Sequence, residues 1–217
     1  LVAGPMPVPG TAQAAAAPGQ AAIRVMTLNV LFANRNAAAL RRSLEELQPD
    51  IVLLQEINRR WDWDLAALAD LYPHRVTLAP AHGLLDDHGA VLLSKLPIAE
   101  IVRPTLGGLP GRLTAARIAI DGRSIWLSSA HLVKPSTPGG QALQQTQIRD
   151  LEEWAAGTDG PLVIGGDFNA TVHMPQMKAL LRRQGFATDL QVGGWWPVAV
   201  GTFPAWLPIL GLKIDHI

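Results

Sequence analysis

Apolar positions along the chain switch repeatedly between strand-like runs and helix-like spacings. Residues 23–31 form a short run that predicts a strand, closing on Thr27-Leu28-Asn29-Val30. Asn36 stands where a helix cap is needed; Leu40, Leu44 and Leu47 follow on one face, and Pro49 ends the element. Residues 50–55 are apolar with little alternation, the mark of a strand buried on both faces, and they lead into Leu54-Gln55-Glu56. Trp61, Leu65 and Leu68 predict a second helix before Pro73, and residues 90–94 predict another strand. Residues 114–120 and 124–130 alternate, and the intervening Asp121-Gly122-Arg123 is a hairpin signal. Leu143, Gln147, Leu151 and Trp154 mark a long helix. The run Pro161-Leu162-Val163-Ile164-Gly165 predicts a buried strand whose exit is Gly166-Asp167-Phe168-Asn169. Met177, Leu180 and Leu181 predict a helix capped by Gly185, and a last strand starts near Lys213.

Strands and helices therefore interleave, with at least one antiparallel hairpin and no repeat at a fixed period. This predicts an α+β fold, a layered sandwich of two sheets face to face with helices outside. The length of 217 residues suits one large domain or two small ones, and 48% hydrophobic residues can fill a sizeable core. Residues 1–22 are uncharged and rich in Ala, Pro and Gly, so they read as a flexible linker ahead of a domain at 23–217. That segment is too broken by proline for a transmembrane helix and lacks the basic start of a signal peptide. A start at Leu1 rather than Met fits a removed upstream signal peptide or anchor, and equally a cloning boundary.

Charge narrows the picture. Eighteen basic residues balance eighteen acidic ones. Arg41-Arg42, Arg59-Arg60 and Arg182-Arg183 are isolated pairs that read as solvated faces, not as the basic stripe of a dedicated nucleic-acid binder. The absence of cysteine excludes disulfides, thiolate metal sites and cysteine nucleophiles, and it fits a secreted or periplasmic protein.

The chemistry gathers at strand ends. Asp167 and Asn169, two apart, point to the same side, where one can hold a water and the other can donate to an oxyanion. Glu56 and Asp215 also end predicted strands. Two carboxylates meeting at one point repel unless protonated or bridged by a cation, and oxygen ligands suit Mg²⁺ or Mn²⁺. His131 and His216 each end a strand and can serve as donor, acid or base near neutral pH. Each feature alone has an ordinary structural reading: a turn, a surface carboxylate, a hydrogen-bonding histidine.

Together, Asn29, Glu56, His131, Gly166-Asp167-Phe168-Asn169 and Ile214-Asp215-His216-Ile217, in this order, resemble the endonuclease/exonuclease/phosphatase superfamily of metal-dependent phosphoesterases. Ser94-Lys95-Leu96-Pro97-Ile98 resembles a structural turn of that superfamily. The resemblance covers about Ile23 to Ile217 and implies a four-layer α/β/β/α, DNase I-like sandwich. It implies that Glu56 and Asp215 hold the metal and that Asp167, oriented by Asn169, activates the water. It further implies that His131 and His216 stabilise the charged phosphoryl centre, that Asp189 orients His216, and that Asn29 donates to a phosphate or holds Glu56. Members of the superfamily usually continue past the position of His216, so the strand is expected to extend beyond Ile217.

Arg112, just before a strand, reaches a substrate phosphate or is a solvated loop arginine. Residues 190–212 carry no charge and hold Trp195, Trp196, Phe203 and Trp206; prolines and glycines rule out a spanning helix. This segment either packs in the core or forms an aromatic rim, with Trp206 toward an apolar substrate or a membrane surface. With the linker, it resembles the bacterial teicoplanin-resistance-type branch, which implies a location outside the cytoplasm and a lipid-linked or other envelope phosphoester substrate. A monomer is expected. A nuclease, which would need cationic phosphate contacts, and a non-catalytic binding module stand as alternatives.

Overall fold

The computed structural model describes residues 23–34, 36–78, 89–186 and, for the backbone, 215–216. The elements run β1 (Val25–Asn29), α1 (Ala37–Leu47), β2 (Ile51–Ile57), α2 (Arg59–Ala66), β3 (His74–Val76), β4 (Gly89–Ser94), β5 (Ile98–Val102), β6 (Leu113–Ile120), β7 (Arg123–His131), α3 (Pro138–Ala156), β8 (Leu162–Asp167), α4 (Pro175–Gln184) and β9 (Asp215–His216). One sheet has the order β1-β2-β4-β3 and the other β5-β6-β7-β8-β9. Parallel pairs β1/β2 and β7/β8 are each joined by a helix, and the remaining pairings are antiparallel. The result is the expected four-layer α/β/β/α sandwich.

The layers follow from which way β2 side chains face. Ile51 and Leu53 pack with Leu92, Ile118 and Leu127 between the two sheets. Val52 and Leu54 face the other way, onto Leu40, Leu44, Trp61 and Leu65 of α1 and α2. Both faces are dry, so the strand shows no polar alternation. On the far side, Leu113 and Ala130 pack under Ile148 and Leu151 of α3 and Met177 and Leu180 of α4. Each fully buried aliphatic side chain contributes about 1.5–3 kcal/mol.

Local signals place the ends of these elements. The Asn36 side chain accepts from the Ala39 N–H at 3.0 Å and caps α1. Asp121 (φ 48°) and Gly122 (φ 76°) make the tight left-handed turn of the β6–β7 hairpin. Gly185 (φ 66°) closes α4, with its N–H on the Leu181 carbonyl. Two strands not expected from the sequence, β3 and β5, lie on sheet edges. No helix among the described residues is long and apolar enough to cross a membrane. The expected linker at 1–22, the stretch 190–212 and the strand start near Lys213 lie outside the described residues.

Candidate active site

The C-terminal ends of β1, β2, β7 and β8 deliver Asn29, Glu56, His131 and Asp167 to one point. Ligand atoms of Glu56, His131 and Asp167 all lie within 4.8 Å of one another. Asn29 Nδ2 joins the sheets there, donating to Glu56 Oε1 at 2.8 Å and to Asp167 Oδ2 at 2.9 Å. In the register, His131 stands opposite Asp167, which on its other side faces Asp215; His216 faces Gly166. The backbone thus brings the Asp215-His216 pair to the same strand end as Asp167.

Each of these positions has a local cause. β2 bulges between Leu54 and Ile57, and Glu56 takes φ 59°. A non-glycine residue there costs about 1–2 kcal/mol. The bulge separates two neighbours. Gln55 is fully buried between the sheets, donating to Ser129 Oγ at 2.9 Å, while Glu56 turns toward Asn29. The Phe32 N–H holds the second oxygen of Glu56 at 3.1 Å. Gly166 has φ 154°, and a Cβ there would sit 1.9 Å from the Ala130 carbonyl oxygen. Only glycine lets β8 approach β7 this closely, which explains the glycine before Asp167.

Asp167 is 6% exposed. Burial pushes its carboxyl above the ordinary range; the bonds from Asn29 and from the Asn169 N–H oppose this, the Glu56 charge adds to it, and Lys134 opposes it. Two carboxylates sharing one amide, one of them buried, together with an imidazole, fit a divalent cation, which would offset both burial and like charge. Mostly oxygen donors suit a hard ion.

Asn169 (φ 48°) holds Asp167 through its backbone N–H, 2.9 Å from Oδ1, while its side chain donates to the Leu132 carbonyl at 2.9 Å. Arg112 is buried, with Nη1 3.5 Å from the His131 carbonyl and its own carbonyl accepting from the His131 N–H at 2.8 Å. Its guanidinium therefore lies against the end of β7 and not in a solvated loop. Asp189 and Trp206 lie outside the described residues, as do the side chains of Asp215 and His216.

Several neighbours of the site escape a reading of the sequence. Leu31 and Phe32, directly after β1, are 53% and 42% exposed. Their carbonyls accept from Trp61 Nε1 and Asn58 Nδ2, so α2 holds this apolar lip beside Glu56. Lys134 is an exposed cation near Asp167. Gln144 and Gln147, both buried on α3, reach the segments after β7. The available signal was two amides at core positions of an otherwise apolar helix face.

Comparison with known proteins agrees with this geometry. The model of the Endonuclease/Exonuclease/phosphatase family matches residues 26–217. No curated protein sequence matches the chain. Sphingomyelinase C from Streptomyces griseocarneus shares the fold with TM-score 0.67 at 16% identity, covering 91% of this chain and 84% of that one. A Staphylococcus aureus beta toxin mutant with bound magnesium ions gives 0.61 at 16%, covering 76% and 71%. The human Nocturnin catalytic domain with bound sulfate gives 0.59 at 22%, covering 75% and 70%. With the family model spanning nearly every described residue and the carboxylates assembled at the strand ends, this chain belongs to the endonuclease/exonuclease/phosphatase family of metal-dependent phosphoesterases.

Proposed function

We propose that the chain hydrolyses a lipid-linked or other envelope phosphoester outside the cytoplasm, acting as a monomer with water activated by Asp167. The observation that carries the chemistry is the Asn29 amide shared by Glu56 and Asp167 beside His131. Glu56 and Asp215 would hold Mg²⁺, or Mn²⁺ in its place; when bound, the cation neutralises charge on a non-bridging phosphate oxygen. Asp167 takes the proton of the attacking water. Bonds to both of its oxygens fix its rotamer for that transfer. His131 and His216, the latter oriented by Asp189, donate to the oxygens on which charge builds. Arg112 supports His131 from behind.

Leu31 and Phe32 support the substrate class. They are apolar, exposed, and part of the segment bonded to Glu56, so a substrate with a hydrocarbon portion next to its phosphate would cover them. Trp206 and the apolar residues near it would extend that contact. The likeness to a sphingomyelinase C, at 16% identity, adds the fold only. Arg41 is ion-paired with Glu45 and Asp70, and Arg183 with Glu152, which removes two arginines from a phosphate-tracking surface.

The test is hydrolysis of a polyprenyl pyrophosphate and of plasmid DNA, side by side with Mg²⁺, for wild type and a Leu31→Ser, Phe32→Ser variant. Lipid turnover without nicking is expected, with KM in the variant raised by about tenfold or more, from roughly 1.5–3 kcal/mol per lost apolar contact. Nicking without lipid turnover would establish the nuclease instead, and turnover of neither would leave a binding module or a hydrolase of another, small phosphodiester.

A further inference from the structure

Gln144 sits on α3, apart from the strand ends, yet it is only 2% exposed. Its Nε2 donates to the carbonyls of Asn169 at 2.9 Å, Phe168 at 3.1 Å and Val133 at 3.1 Å. Two amide protons thus serve three backbone acceptors, two on the turn after β8 and one on the segment after β7. Two further bonds join the same segments: Leu132 N–H to the Asp167 carbonyl at 3.0 Å and Asn169 Nδ2 to the Leu132 carbonyl at 2.9 Å. The turn needs such restraint. Asn169 is held at φ 48°, a conformation that L residues adopt at a cost and keep only when the surroundings enforce it.

We propose that Gln144 is a positioning residue for phosphoester hydrolysis, an inference that rests on the function proposed above. Its carboxamide fixes the left-handed Asn169 peptide, and through it the Asn169 N–H that orients Asp167 Oδ1. It also ties this turn to the exit of β7 at Val133, two residues after His131. Gln144 touches neither carboxylate. Gln147, one turn of helix away, accepts from the Val133 N–H and donates to the Leu106 carbonyl, so it secures the β7 segment without reaching the turn.

The test replaces Gln144 by Met, which keeps length and burial and removes the donors. Leu44→Ala, in the separate core between α1 and β2, serves as a control of comparable destabilisation. With bis(p-nitrophenyl) phosphate and Mn²⁺, Gln144→Met is expected to lose about 100-fold in kcat, the effect of misplacing a reacting group by about 1 Å. KM and the Mn²⁺ dissociation constant should stay within about threefold, as for loss of an interaction made only in the transition state. Leu44→Ala should keep kcat, and only Gln144→Met should speed amide hydrogen exchange over residues 167–170. Equal kcat values for the two variants, or a loss confined to Mn²⁺ affinity, would overturn the proposal. Should the wild type cleave no phosphoester, the proposed function fails on its own. The exchange measurement then still decides whether Gln144 holds the turn, and unchanged exchange overturns the inference.

Discussion

Gly166→Ala is the substitution for which the structure gives the plainest magnitude. The new Cβ would stand 1.9 Å from the Ala130 carbonyl oxygen, 2.8 Å from its carbon and 2.9 Å from the Ala130 nitrogen. All three are backbone atoms of the strand to which Gly166 is paired, so no side chain can rotate away. Relief requires β8 to shift from β7 by about 1 Å or more at that pair, against interiors packed as tightly as organic crystals. Overpacking of this kind costs about 1–3 kcal/mol, and an alanine held at φ 154° adds about 1–3 kcal/mol of strain. The sum is a loss of about 4 kcal/mol, a large share of the stability of an ordinary domain. The same shift carries Asp167 away from Asn29, so the folded fraction should also turn over about 100-fold more slowly. Urea unfolding followed by tryptophan fluorescence reads the first effect, and kcat corrected for folded fraction reads the second. Gly139→Ala, where a Cβ meets nothing within 4 Å, is the matched control and should be neutral or slightly stabilising. If Gly166→Ala lay within about 1 kcal/mol of wild type, the close approach of β7 and β8 would be refuted, and with it the reason given for the glycine.

Three further outcomes follow from burial and capping. Tyr72, the single tyrosine, is buried with its hydroxyl on the Pro49 carbonyl at 3.0 Å; burial and the Asp50 charge push it up to about 12. Absorbance titration at 295 nm should show ionisation near there, and stability present below pH 10 should be lost as pH rises through about 12; a midpoint near 10 would contradict the burial. In metal-free protein the raised Asp167 carboxyl favours folding below its unfolded pKa and ceases to as pH rises through its folded value. In EDTA, Asp167→Asn should therefore exceed wild type in Tm at neutral pH, with the gap closing in acid; a gap of opposite sign would refute the desolvation account. Asn36→Ala should cost about 1 kcal/mol in urea unfolding through loss of the α1 cap, and no change would mean the cap is redundant.

The fold was legible where local chemistry and burial coincide. Asn36, the Asp121-Gly122 turn and Gly185 marked element ends because capping and left-handed turns depend on the residue itself. β2 was legible as a doubly buried strand because both of its faces meet apolar layers. β3 and β5 were not: one is three residues long, and the other lies on an edge with mid-strand residues exposed, so neither leaves a period-2 pattern. Within the site, strand ends pointed to Asn29, Glu56, His131 and Asp167, but a bond spanning 138 residues leaves no local trace, so the sharing of Asn29 between two carboxylates emerges only from the fold. The bulge at Glu56 was hidden because its left-handed residue is not a glycine. Arg112 offered a loop or a phosphate contact in sequence; burial against β7 takes it out of a solvated loop.

The most direct measurement is turnover of a polyprenyl pyrophosphate after EDTA treatment and Mg²⁺ repletion, for wild type and Asp167→Ala. EDTA is expected to abolish activity and Mg²⁺ to restore it, and Asp167→Ala should lose about 10²–10⁴-fold in kcat, the range for a positioned general base. Turnover that survives EDTA, or that is equal in Asp167→Ala, would contradict a metal-dependent hydrolysis centred on Asn29, Glu56 and Asp167.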